Sequence, residues 1–101
     1  MEKPQFIYLL KLIPRLLDQQ NWTSREEAIV ETHFQYLKKL TESGTMILVG
    51  RTQQMDEETF GIAVYEAASE DDARKIMEND PAVQGGIMTA KLFPFRVALK
   101  R

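Results

Sequence analysis

One hundred and one residues are enough for one hydrophobic core and too few for two. Apolar residues make up 44% and charged residues 28%, and 13 basic side chains stand against 15 acidic ones, dispersed along the chain; no clustered basic face is available to a nucleic acid. The chain has no cysteine, which excludes disulfides and thiolate chemistry and makes the cytoplasm the expected compartment. One histidine is too few for a transition-metal site, so neither a metal nor a cofactor is expected.

The apolar run Phe6–Ile13 follows Lys3, as in a signal peptide. It is short, interrupted by Lys11 and closed by Pro14-Arg15, and it lacks a small-residue cleavage site. It also falls far short of the roughly 20 residues that span a bilayer, so no membrane association is expected. Gln5–Ile13 instead predicts a strand, with Phe6, Tyr8, Leu10 and Leu12 on one face and Ile7, Leu9 and Ile13 on the other. A strand apolar on both faces calls for cover on both. Helices can cover one face of a small sheet, and the other then predicts a homodimer joined through the sheet.

Pro14–Trp22 is a connection whose Leu16, Leu17 and Trp22 need packing partners. Thr23-x-x-Glu26 and Ser24-x-x-Glu27 both fit a capping box, and they open a helix predicted over Ser24–Gly44. Ile29, His33, Tyr36, Leu37 and Leu40 fall on one stripe of that helix, so the only histidine is predicted to point inward. Gly44 suits the residue that closes the helix, with Lys38 and Lys39 near its negative end.

Thr45–Thr52 reads as a second strand, Gln53–Thr59 as a long polar hairpin loop, and Phe60–Ala67 as a third strand antiparallel to the second. Ser69 caps a second helix over Ser69–Asp80, with Ala73, Ile76 and Met77 on its apolar stripe and Asp80 at the end of the same stripe. Pro81 ends that helix, and Asp80-Pro81 can cap a further short turn. Gly85-Gly86 leads into a last strand, Ile87–Phe95, which Pro94 assigns to a sheet edge or a bulge. The order strand, helix, strand, strand, helix, strand is the α+β, ferredoxin-like βαββαβ pattern: one domain over residues 1–101. It puts both helices on one face of an antiparallel sheet. Right-handed crossovers place the first and third strands at its centre.

Few residues can carry chemistry. His33 is either a packed histidine hydrogen-bonded to backbone or water, or a general acid or base in a pocket between helix and sheet; a free imidazole titrates near 6.5. Asp80 is either a plain helix cap or the carboxylate that orients His33. Arg51, late in the second strand, can bind an anionic or phenolate oxygen or serve as a surface arginine. Tyr36, one turn beyond His33, and Tyr8, on the first strand, join Arg51 as candidate substrate-binding residues. Gly85-Gly86 lacks a phosphate-loop pattern, and Asp56, Glu57 and Glu58 lack a calcium-loop pattern.

These residues together resemble the YciI-like family, also called the YCII-related domain. The resemblance rests on H-x-x-Y-L-x-x-L (His33, Tyr36, Leu37, Leu40), Gly50-Arg51-Thr52, the Gly61–Glu66 strand and S-x-x-x-A (Ser69, Ala73). It continues through Asp80-Pro81, Gly85-Gly86 and the closing Pro94-Phe95. It implies a dimeric α/β-barrel and a His–Asp pair, here His33 and Asp80, in an active-site pocket. Some relatives act on hydroxylated or chlorinated aromatic rings. Many members carry Arg three residues before the histidine, where this chain has Val30; if that Arg binds an anion, the role is lost here or falls to Arg51 or Arg25. The reading is a small-molecule enzyme with a proton-transfer dyad, a lyase, dehydrochlorinase or isomerase on a hydroxylated aromatic or a lactone. The alternative is a non-catalytic dimeric module that binds a small ligand.

Overall fold

The computed structural model describes residues 3–101. Four strands, β1 (Gln5–Leu12), β2 (Met46–Arg51), β3 (Gly61–Glu66) and β4 (Met88–Phe95), form one sheet in the order β2-β3-β1-β4. Every pairing is antiparallel. The first and third strands are central, and Pro94 lies on the edge strand β4, where a missing N–H costs no ladder bond. Helices α1 (Ser24–Glu42), α2 (Glu70–Glu78) and α3 (Pro81–Gln84) complete the α+β fold.

The element ends follow local chemistry. Strand β1 stops one residue earlier than the apolar run because Pro14 opens a short 3-10 turn over Pro14–Leu17; the Ile13 N–H still reaches the Ile87 carbonyl at 3.0 Å. A second such turn, Gln19–Asn21, completes the connection, and the Trp22 indole N–H donates to the Leu16 carbonyl at 2.7 Å. Helix α1 ends at Glu42 rather than Gly44, which sits just beyond it with φ of 88°, a conformation glycine adopts without strain. Ser69 caps α2 by accepting from the Asp72 N–H at 3.1 Å.

Register sets the two faces of the sheet. Phe6 opposes Tyr65, Tyr8 opposes Ala63, and Leu10 opposes Gly61, all on the face that the helices cover. Phe6, Tyr8, Tyr65 and Ala63 are buried there against Leu37, Ala73 and Met77. A smaller cluster of Leu16, Ala82 and Ile87 ties the first connection to α3 and packs on Trp22, Ile29 and Val30. On the opposite face Ile7 and Leu9 are only partly covered, and Leu48, Phe93 and Phe95 are exposed. The two-sided burial expected of β1 is therefore met on one side within a single chain. Among the described residues no helix is long and apolar enough to cross a membrane.

The start of α1 holds a buried carboxylate that periodicity did not single out. Glu26 is 3% exposed. It accepts from the Thr23 N–H at 2.9 Å and from the Thr23 hydroxyl, and Arg15 and Arg25 approach its other oxygen at 3.3 and 3.5 Å. The Thr23 hydroxyl, then the Thr23 N–H, hold its carboxyl down to about 2. A carboxyl depressed in the folded state stabilises the fold above its ordinary value, near 4.5, and that stabilisation is lost as pH falls toward 2. Glu26→Gln should therefore melt below the wild type at neutral pH, with the two melting curves converging between pH 4.5 and 2; thermal denaturation across that range checks it.

Candidate functional site

The site is built on Asp80, which is fully buried. Its backbone is extended and its side chain caps α3, the Oδ1 atom accepting from the Ala82 N–H at 2.9 Å, as the Asp-Pro pair predicts. The same Oδ1 atom lies 2.6 Å from His33 Nδ1 on α1. The other oxygen, Oδ2, accepts from the Tyr8 hydroxyl of β1 at 2.7 Å. A lone carboxylate in this position would cost several kcal/mol to bury, about as much as three well-placed donors can offset. Residues 47 and 72 positions apart in the chain thus meet on one side chain.

Close packing of α3 on α1 makes this meeting possible. A Cβ at Gly85 would lie 2.9 Å from Ile29 Cδ1 and 3.0 Å from the Pro81 carbonyl oxygen. Glycine at 85 therefore lets the end of α3 seat against α1. Arg25 reinforces the seat by donating to the Gly85 carbonyl at 3.0 Å.

Because Asp80 accepts from Nδ1, that nitrogen carries the hydrogen, and Nε2 of a neutral ring offers its lone pair. The imidazole is 13% exposed and lines a cavity of about 430 Å³ between α1, the sheet and the 53–60 loop. Helix α1 contributes Val30, Phe34 and Leu37 beside His33, the central strands contribute Leu10, Leu12 and Gly61, and Trp22 and Met88 lie at the side. The loop supplies Met55, Thr59 and Phe60. Its neck is closed by Thr52, whose hydroxyl lies 2.9 Å from that of Thr59 and accepts from the Phe60 N–H at 3.0 Å. His33 and Arg51 are the titratable side chains in the lining.

The other candidate residues occupy different positions. Arg51 lines the cavity, and one of its N–H groups reaches the Thr52 carbonyl at 3.3 Å. Arg25 does not line it, being occupied by Gly85 and Glu26. Tyr8, expected to touch a substrate, is instead fully buried behind Asp80 and outside the lining; burial, then the Asp80 charge and the hydrogen bond to it, push its phenol far above the ordinary 10. Tyr36 is also outside the lining. Its hydroxyl donates to the Ile76 carbonyl at 2.7 Å, and burial followed by the Asp80 charge pushes it up to about 12. Among the described residues no group of three or more metal-ligating side chains converges.

A family model described as the YCII-related domain matches residues 7–96. The chain belongs to the YCII-related domain family. Among solved structures it is similar to the 5-chloro-2-hydroxyhydroquinone dehydrochlorinase TftG from Burkholderia phenoliruptrix AC1100, in complex with 2,5-dihydroxybenzoquinone. Identity is 21%, 91% of this chain and 93% of that chain are covered, and the TM-score is 0.68. It is also similar to SnoaB, a cofactor-independent oxygenase from Streptomyces nogalater, at 13% identity over 100% of both chains and a TM-score of 0.47. No curated protein matches it. The first likeness shows that this YCII-related chain has the ferredoxin-like fold that the order of its elements predicts.

Removing the Tyr8 hydroxyl would strand one oxygen of a fully buried carboxylate. Tyr8→Phe should therefore cost about 1–3 kcal/mol of stability, read from urea denaturation with an unchanged slope.

Proposed function

We propose that this protein is a small-molecule enzyme in which His33 moves a proton on a hydroxylated aromatic ring while Asp80 holds the imidazole. One observation carries the reading: the 2.6 Å contact between a fully buried carboxylate and Nδ1 of a histidine that lines an apolar cavity. That contact fixes the tautomer and orientation of a base, as a carboxylate does in a catalytic dyad. Flat aliphatic and aromatic walls suit a ring, and Arg51 suits one of its oxygen substituents. The dehydrochlorinase among the structural neighbours supports the substrate class.

The chemistry needs a single base. Nε2 takes the proton from a ring hydroxyl and delivers it to the adjacent ring carbon, giving the keto tautomer; this step alone is an isomerisation. A lactone with an acidic C–H beside its carbonyl admits the same proton shift. Where the newly protonated carbon carries chlorine, the hydroxyl para to the first loses its proton to the imidazole. Its electron pair, relayed through the ring, expels chloride. The products are a quinone, chloride and one proton, and the ring is oxidised by the two electrons that leave with chloride. Tyr8 acts from behind, through Asp80.

The reading includes a twofold pair joined through the open sheet face. Leu48 is 55% exposed and Phe93 47% exposed there, and covering such a face favours association.

Two measurements test these statements. His33→Ala should lower turnover of a chlorinated hydroquinone, followed by chloride release, by about 10²–10⁴-fold while the ring still binds. A wild type that binds hydroxylated rings and lactones but turns none of them over would instead be a non-catalytic binding module. Sedimentation equilibrium should return twice the chain mass for the wild type and the single-chain mass for Phe93→Asp.

A further inference from the structure

The charge balance of the cavity carries an inference about what it holds. Its walls are almost wholly apolar, and no aspartate, glutamate or lysine lines them. The one permanent charge is the Arg51 guanidinium. Among the described residues no carboxylate forms an ion pair with Arg51, whereas Arg15, Arg25 and Arg74 each have one. Its hydrogen bond in the protein is the 3.3 Å contact to the Thr52 carbonyl, which leaves most of its five N–H donors free.

Position makes this arginine part of the site. Arg51 lies directly opposite Gly61 in the β2–β3 ladder. Both residues line the cavity, and a glycine there presents no side chain to crowd the guanidinium. Val30, one turn before His33 on the helix wall, adds no charge of its own. Arg51 is itself exposed, so its attraction for an anion is screened by salt, while the walls around it offer no competing charge. A planar fork of donors matches a carboxylate in two parallel hydrogen bonds, where a phenolate offers a single oxygen.

We propose that the substrate is a hydroxyarene carboxylate, its hydroxyl at His33 and its carboxylate on Arg51. This rests on the reading of the cavity as the substrate site, and it names a group that the proton-transfer chemistry itself does not require. Arg51 sets specificity; the proton moves at His33.

The test compares 2,5-dihydroxybenzoate with 1,4-dihydroxybenzene by calorimetric titration of the full-length chain at low ionic strength. The wild type should bind the carboxylated ring about ten- to a hundredfold more tightly, the range of a hydrogen bond to a charged group. Arg51→Gln, with an unchanged melting temperature, should bring the carboxylated ring down to the level of the uncharged one. Raising the salt should narrow the gap in the wild type. Equal affinities in the wild type, no binding of either ring, or a gap that survives Arg51→Gln overturns the proposal. A wild type that prefers the carboxylate but fails to turn over any hydroxylated ring would leave this inference standing and remove the proton-transfer reading. Turnover that depends on His33 without any preference for the carboxylate would do the reverse.

Discussion

One buried carboxylate joins the three parts of this fold that make the site. Asp80 accepts from β1 through Tyr8, from α1 through His33 and from α3 through the Ala82 N–H. Each donor makes a hydrogen bond to a charged group, worth about 1.5–3 kcal/mol net. Their importance lies in the alternative: without Tyr8 one buried oxygen has no partner, and without His33 or the Ala82 N–H the other keeps a single donor. The position of α3, four residues long and too short to be stable alone, follows from this requirement. Gly85 lets it approach α1, and the carboxylate holds it there.

The cavity is what remains after the core has formed. Where the sheet meets α2 and the α3 cap it is filled by Tyr65, whose hydroxyl donates to the Ala73 carbonyl, and Tyr8, the two rings tilted with centroids 5.5 Å apart. Toward the β2–β3 end Gly61, on the covered face opposite Arg51 and Leu10, supplies no side chain to the space between helix and sheet. The 53–60 loop closes over it from one side, held at its neck by Thr52 and Thr59 and tied to β1 by Lys11, whose ammonium donates to the Glu57 carbonyl at 2.8 Å. Large side chains thus fill one part of the layer, and Gly61 leaves room in the part that His33 lines.

Much of this arrangement is legible in the sequence because short-range rules dictate it. Thr23 with Glu26, Ser69 with Asp72 and Asp80 with Pro81 mark three helix starts by side-chain chemistry alone. Alternation in β1 puts Tyr8 on the same face as Phe6 and Leu10. Periodicity brings His33 to the inner side of α1, whereas α2 ends at Glu78 and Asp80 is buried as the extended cap of α3 rather than at the end of the α2 stripe. What periodicity cannot supply is which inward polar groups touch, because that depends on the depth and rotation at which two helices seat. Tyr8 illustrates the limit: its face is readable, but its partner 72 residues away is not. Glu26 is another case, since its place in the capping box is evident while its burial follows from Arg15 folding over it from the preceding connection. The register shift between Met46 and Leu48 also has no sequence signal, as neither glycine nor proline marks it.

The geometry also gives two charged groups, Asp80 and Arg51, very different surroundings. Asp80 has both oxygens occupied and no exposed surface, so it cannot itself meet a ligand. Of the Tyr8–Asp80–His33 chain, only the imidazole lines the cavity, and only its Nε2 atom is left without a partner by that chain. Its negative charge is therefore felt in the cavity through one ring. Arg51 has the opposite character: it is exposed, has no acidic partner among the described residues, and is supported by a single carbonyl. The lining thus carries two polar side chains of different kinds, an imidazole held by a buried carboxylate and a guanidinium held by a single carbonyl. Apart from Thr59 the remaining side chains of the lining are apolar, so these two groups are the ones that distinguish it chemically from the rest of the core.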